Sequence, residues 1–189
     1  MKKIIGIFGG TFDPPHLGHY GIARRVLELN LVDEVYWIPV YRHAFGKEPA
    51  PYWDRCIMVA AMITKDPQMK VMEIEDKIEN PQWSKNVIEY LINQSPLDRF
   101  RFILGADQYE ELDKWHDFDT VRRLASPIWI ARNTISIPGE QVIQFNNPNS
   151  STLIRRKIKD KESVSMLVGK EVYAYVQQKG LYKPNKKGD

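Results

Sequence analysis

The chain has 189 residues, with 27 Lys and Arg against 24 Asp and Glu and a net charge of +3. That is one domain's length, enough to bury a core without staples, and 43% hydrophobic with 27% charged residues excludes a disordered, collagenous or coiled-coil chain. The single cysteine, Cys56, excludes an intramolecular disulfide and a Cys-rich zinc module.

Residues 3–8 are a β-branched run ending in Gly9-Gly10, the pattern of a buried parallel strand. Ile22, Ala23, Val26, Leu27 and Leu29 then fall at helical spacing and predict a helix over 16–29. A strand over 34–38 closes at Pro39, and a loop rich in Pro and Gly covers 39–51. Ile57, Met58, Ala61 and Met62 predict a helix over 52–64. Alternation over 70–75 predicts a strand, and 84–94 a helix with Ser84 as its cap. Then come a strand over 100–104, a helix over 117–125 capped by Asp117, and strands over 127–131 and 141–145. Ser150 or Ser151 caps a helix running to about 160; a last helix over 169–179 stops at Gly180, and 183–189 is a frayed tail. Such alternation predicts an α/β, Rossmann-like doubly wound sheet, mostly parallel, with helices on both faces. A single domain spans 1–189, its part from about 150 to 182 helical. No apolar run approaches the ~20 residues of a membrane helix. The apolar start meets Asp13, Pro14 and Pro15 with no cleavage site, so a cytoplasmic chain with no membrane or nucleic-acid partner is expected.

In such folds ligands sit beyond the carboxyl ends of the strands, where the strand order reverses. After the first strand come Gly9 and Gly10, which let the backbone approach a bulky anion, then Thr11, Phe12 and Asp13. Pro15 falls near the first helical turn, and His16 and His19, three apart, face the same way. A helix start with free N–H groups and two imidazoles suits phosphate oxygens. Zinc is the alternative, His16, His19 and Asp13 supplying three ligands, but a glycine-rich loop with no Cys pair favours phosphate and no metal site is expected. Ser151 and Thr152 mark a second helix start, and Arg155 lies on the same side as Thr152. Their plain alternatives are ordinary capping and a solvated basic face with Arg156, Lys157 and Lys159.

Thr11-Phe12-Asp13-Pro14-Pro15-His16-Leu17-Gly18-His19 resembles the (T/S)-x-x-H-x-G-H signature of nucleotidyltransferases. With Gly9-Gly10 before it, the segment resembles bacterial nicotinate mononucleotide adenylyltransferases. Gly105-Ala106-Asp107 ahead of Trp115, Asn149 through Arg155, and Val172-Tyr173 with Gly180-Leu181-Tyr182 resemble later segments of that family, in order. Two segments depart. The family's Pro-Pro-His-Lys is replaced by Tyr41 through Lys47, and its Pro-Ser-Tyr-Thr-x-Asp-Thr by Pro81-Gln82-Trp83-Ser84-Lys85-Asn86-Val87.

The resemblance implies transfer of AMP from ATP, carried with Mg²⁺, to nicotinate or nicotinamide mononucleotide, the choice left open. It implies phosphate contacts from Gly9, Gly10, Thr11, Phe12, His16, His19, Ser151, Thr152 and Arg155, with His16, His19 and Arg155 acting on the charge of the reaction. Gly105 and Asp107 would meet ATP, Asp107 taking ribose hydroxyls unless it is a helix cap. Thr11, His43, Lys47, Ser84, Trp115 and Arg132 would meet the mononucleotide, Trp115 stacking on the pyridine unless it belongs to the core. The rivals are pantetheine-phosphate adenylyltransferase and a non-catalytic nucleotide sensor of the same fold; a homo-oligomer stays open.

Overall fold

A computed structural model describes residues 2–41, 49–78 and 83–184. Six parallel strands, β1 (Ile4–Gly10), β2 (Glu34–Pro39), β3 (Met69–Val71), β4 (Arg99–Gly105), β5 (Ala125–Ala131) and β6 (Val142–Gln144), lie in the order β3-β2-β1-β4-β5-β6. Helices α1 (Leu17–Glu28), α2 (Tyr52–Ile63), α3 (Ser84–Gln94) and α4 (Phe118–Leu124) belong to the crossovers. Helices α5 (Ser151–Lys159), α6 (Ser165–Val168) and α7 (Lys170–Lys179) follow the sheet. This is the doubly wound α/β fold that the alternation predicts.

Because successive side chains on a strand point to opposite faces, the sheet carries two cores. Ile5 and Ile7 of β1, with Phe100, Phe102 and Leu104 of β4, pack on Val87, Ile88 and Leu91 of α3. Phe8, Val35, Trp37, Ile103, Ile128 and Ile130 pack on Ala23, Val26 and Leu27 of α1 and Val59 of α2. A third core joins Met58 of α2 to Ile154, Ile158, Val168, Val172 and Val176, docking the last helices beside the sheet.

The strand order reverses between β1 and β4. Their pairing runs from Ile4↔Arg99 to Ile7↔Phe102 and stops, while β1 continues to Gly10 and β4 to Gly105. The unpaired ends leave a crevice between Gly9-Gly10 and Leu104-Gly105, at the place where doubly wound sheets bind ligands.

Several elements differ from the sequence expectation. β3 is three residues long, and Glu75 falls in a 3₁₀ turn (Glu75–Lys77) instead of a strand. Its partner β2 ends at Pro39, which has no N–H to extend the ladder. Ser84 is the first helical residue of α3, not its cap; Trp83 holds the cap position without a side-chain bond. Asp117 does cap α4, accepting from the Thr120 N–H, and Ser150 rather than Ser151 caps α5. Helix α1 starts at Leu17, with Pro15 ahead of the cap. The 3₁₀ helix Ala106–Lys114 was not expected as an element and has Gly105, not Asp107, at its cap; α6 falls within the expected helical part without having been singled out.

Candidate active site

His16 is the N-cap of α1. Its Nδ1 accepts from the N–H groups of Gly18 (3.1 Å) and His19 (3.3 Å), while His19 Nδ1 accepts from the His16 N–H (3.3 Å). This is a capping box made of two histidines. The rings stack with centroids 3.7 Å apart and planes at 21°. An Nδ1 that accepts carries no proton, so each neutral ring must carry it on Nε2 and donate from there. Burial, then the charge of Arg132, lowers the His16 pKa to about 4; burial, His16 and Arg132 push His19 well below its ordinary value. Both rings are therefore neutral donors at pH 7. The helix start is not bare, as the sequence suggested. Two of its free N–H groups are taken up by His16, and the His19 imidazole stands in for them toward the cavity side.

His16 is 2% exposed and lies behind His19, which lines the cavities. Phe12, in a left-handed backbone conformation (φ 50°), is also 2% exposed and packs its ring edge-on to His19 at 5.1 Å and against Trp37. Its ring is thus a support for His19 as much as a wall.

Three cavities meet at the crevice. The first, about 760 Å³, is lined by Thr11, Phe12, Asp13 and His19 on one side and by Ser151, Thr152, Arg155 and Lys159 of α5 on the other. Ser151 Oγ donates to the Pro14 carbonyl (2.9 Å), tying α5 to the β1–α1 turn. The second, about 280 Å³, brings Gly9, Gly10 and His19 together with Gly105, Asp107 and Arg132. The third, about 440 Å³, adds Ser84, Trp115 and Glu75 to Gly9, Gly10 and Thr11. Gly9 lines the second and third at once, and a Cβ there would meet protein only at 3.8 Å, so what its missing side chain leaves open is ligand space.

Nearly all the residues singled out in the sequence are thus gathered around one crevice. Arg132 is placed differently: it sits with Asp107 and His19, not with Ser84 and Trp115. Trp115 lines the third cavity while Phe102 (5.9 Å) and Phe118 (5.7 Å) hold it edge-to-face. Having lost the cap position, Ser84 lines the same cavity. His43 and Lys47 lie outside the described residues.

Sequence reasoning missed three groups. Lys159 was grouped with a solvated face, yet it lines the first cavity; its spacing of four from Arg155 was the available signal. Glu75, 6% exposed, lies on the wall of the third cavity and accepts the Tyr41 N–H at 2.7 Å. Burial pushes its carboxyl up to about 7, against the pull of that N–H and of Arg55. Arg55, 1% exposed, donates to the carbonyls of Ala50 (2.9 Å) and Thr11 (2.8 Å), fixing the loop that shapes the crevice; nothing local in the sequence marks either residue.

Asp13, the third ligand a zinc site would require, spends its carboxylate on Ala50, Tyr182 and Arg155. Among the described residues no three His, Cys, Asp or Glu form a metal cluster, and no helix is long and apolar enough to cross a membrane.

The first cavity gathers hydroxyls and cations beside His19, next to the point where the parallel sheet opens. The chain belongs to the cytidylyltransferase-like family, whose model matches residues 7–157. More narrowly, it falls among the nicotinate-nucleotide adenylyltransferases. The nicotinate-nucleotide adenylyltransferase of Bacillus subtilis is 34% identical over 188 residues, spanning 96% of this chain and 99% of that protein. The probable nicotinate-nucleotide adenylyltransferase of Bacillus pumilus is 36% identical over 190 residues, with 96% and 99% covered. In fold, the chain resembles the Plasmodium falciparum nicotinic acid mononucleotide adenylyltransferase complexed with NaAD. The TM-score is 0.78 over 95% of this chain and 97% of that one, at 18% identity.

Proposed function

We propose that this adenylyltransferase joins ATP to nicotinate mononucleotide, releasing pyrophosphate. A 5′-phosphate oxygen of the mononucleotide attacks the α-phosphorus of ATP. A new P–O bond forms, the bond between the α-phosphorus and the bridging oxygen breaks, and that oxygen leaves with pyrophosphate. The attacking phosphate is already ionised at neutral pH, so no protein nucleophile or base is required. The protein's work is alignment and stabilisation of charge.

The observation that carries this reading is His19 at the junction of the first two cavities, with Gly9 and Gly10 between the second and third. ATP then lies with its ribose toward Asp107, its α-phosphate at the His19 Nε2–H and its outer phosphates toward Thr152, Arg155 and Lys159. Arg132 meets ATP rather than the mononucleotide. The pyridine ring lies against Trp115 beside Ser84. His16 serves by fixing the helix start and the His19 ring. Mg²⁺ enters as part of the substrate, held by ATP phosphates, since the Asp13 carboxylate is committed to protein donors. The nicotinate-nucleotide names of the relatives favour the acid over the amide.

The test is pyrophosphate release from Mg-ATP by the purified protein, with nicotinate mononucleotide, nicotinamide mononucleotide and phosphopantetheine supplied in parallel. The expected order has nicotinate mononucleotide first. Release with phosphopantetheine alone, or with none of the three, would overturn the proposal.

A further inference from the structure

The closing segment Gly180-Leu181-Tyr182 has no part in the chemistry above, yet it reaches the phosphate cavity. Gly180 ends α7 in a left-handed conformation, and Tyr182 (φ 64°) turns the chain back toward the β1–α1 loop. Leu181 and Tyr182 both line the 760 Å³ cavity. The Tyr182 hydroxyl donates to Asp13 Oδ1 at 2.7 Å, and the Ala50 N–H donates to the same oxygen at 3.0 Å.

Asp13 is in turn the partner of Arg155. Arg155 Nη1 donates to the Asp13 carbonyl at 2.5 Å and only distantly to Oδ2, at 3.4 Å, while Nη2 reaches Thr152 Oγ1 at 3.3 Å. Asp13 is 8% exposed, so its carboxylate has little water to share its charge. One oxygen is satisfied by Tyr182 and Ala50; the other stands off from the guanidinium. Held on Oδ1 by the longer Ala50 N–H bond alone, the carboxylate could turn to take Arg155 in a two-pronged pair, the strongest geometry open to it. Such a pair would withdraw the guanidinium from an incoming phosphate. The Tyr182 hydroxyl, pushed up in pKa by burial and then by Asp13, stays protonated and remains a donor.

We propose that Tyr182 is a positioning residue: by occupying one oxygen of Asp13 it keeps the Arg155 guanidinium available to the outer phosphates of ATP. This rests on the proposed function. Tyr182→Phe removes the hydroxyl and keeps the ring. The expected result is a KM for ATP raised roughly ten- to hundredfold, the worth of one hydrogen bond to a charged group, with the mononucleotide KM within about twofold of wild type. Calorimetry with α,β-methylene-ATP completes the test. Tyr182→Phe should weaken binding by the same factor in the wild-type background and by nothing further in an Arg155→Ala background. A purely structural tyrosine would weaken both backgrounds equally. That result, or an unchanged KM for ATP, overturns the proposal. The wild-type assay separates the two levels. A wild-type chain without turnover sinks the function itself; an active one with an unaffected Tyr182→Phe sinks only the positioning role.

Discussion

His19→Ala should lower kcat by about 10²- to 10³-fold while KM for either substrate moves only a few-fold. That is the usual loss when one fixed donor is removed from the place where charge develops. The geometry gives His19 this role. It is the member of the pair that lines both the first and second cavities, where the proposed reading places ATP, and its Nδ1 is occupied by the His16 N–H, which leaves Nε2–H as its donor. The cost to the fold is modest. One long hydrogen bond, the stack on His16 and the edge contacts with Phe8 and Phe12 are lost, about 2–3 kcal/mol. A thermal scan should therefore find a folded protein with its midpoint lowered by a few degrees. Turnover within about threefold of wild type would remove His19 from the reaction.

Gly18→Ala should be nearly as damaging, for a steric reason. A Cβ at Gly18 would stand 2.9 Å from His16 Nδ1 and Cε1 and 2.7 Å from Asn147 Oδ1. The imidazole cannot yield without leaving the Gly18 and His19 N–H groups, and His19 is stacked on it. Loss of the cap costs about 1 kcal/mol and the crowding about 1–3 more. The midpoint should fall by several degrees, and kcat about 10- to 100-fold as the His19 ring tilts. Kinetics and thermal unfolding on one preparation check this; unchanged values in both would mean the pair tolerates a side chain there.

What the sequence made legible was local. The β1 run, the glycine pair, the His16–His19 spacing and the Asp117 cap are decided by neighbours a few residues away, and each has its structural counterpart. The alternation also directed attention to the crevice, since a doubly wound sheet opens where the order turns back. Errors arose where a boundary depends on a distant partner. β3 stops short because β2, some thirty residues earlier, ends in proline. Ser84 leaves the cap position to Trp83 and lines the third cavity instead. The Ala106–Lys114 3₁₀ helix lacks the 3.6-residue period that marks an α-helix. Arg132 was visible as a residue beyond a strand, but which cavity it joins depends on where β5 lies in the sheet. The contact of Asp13 with Tyr182 closes across 169 residues, and no spacing rule reaches that far.

The neutral, Nε2-protonated histidine pair is the core of this account, and nitrogen-15 NMR of labelled imidazoles observes it directly. With four histidines in the chain, His16 and His19 are assignable by substitution. Both rings should keep a bare Nδ1 and a protonated Nε2 from pH 8 through the ordinary histidine pKa of ~6.5, because burial holds both pKa values down. Addition of α,β-methylene-ATP with Mg²⁺ should shift the His19 Nε2 signal. Titration of either ring near pH 6.5 in the free protein, or a His19 signal unmoved by saturating analogue, would contradict it.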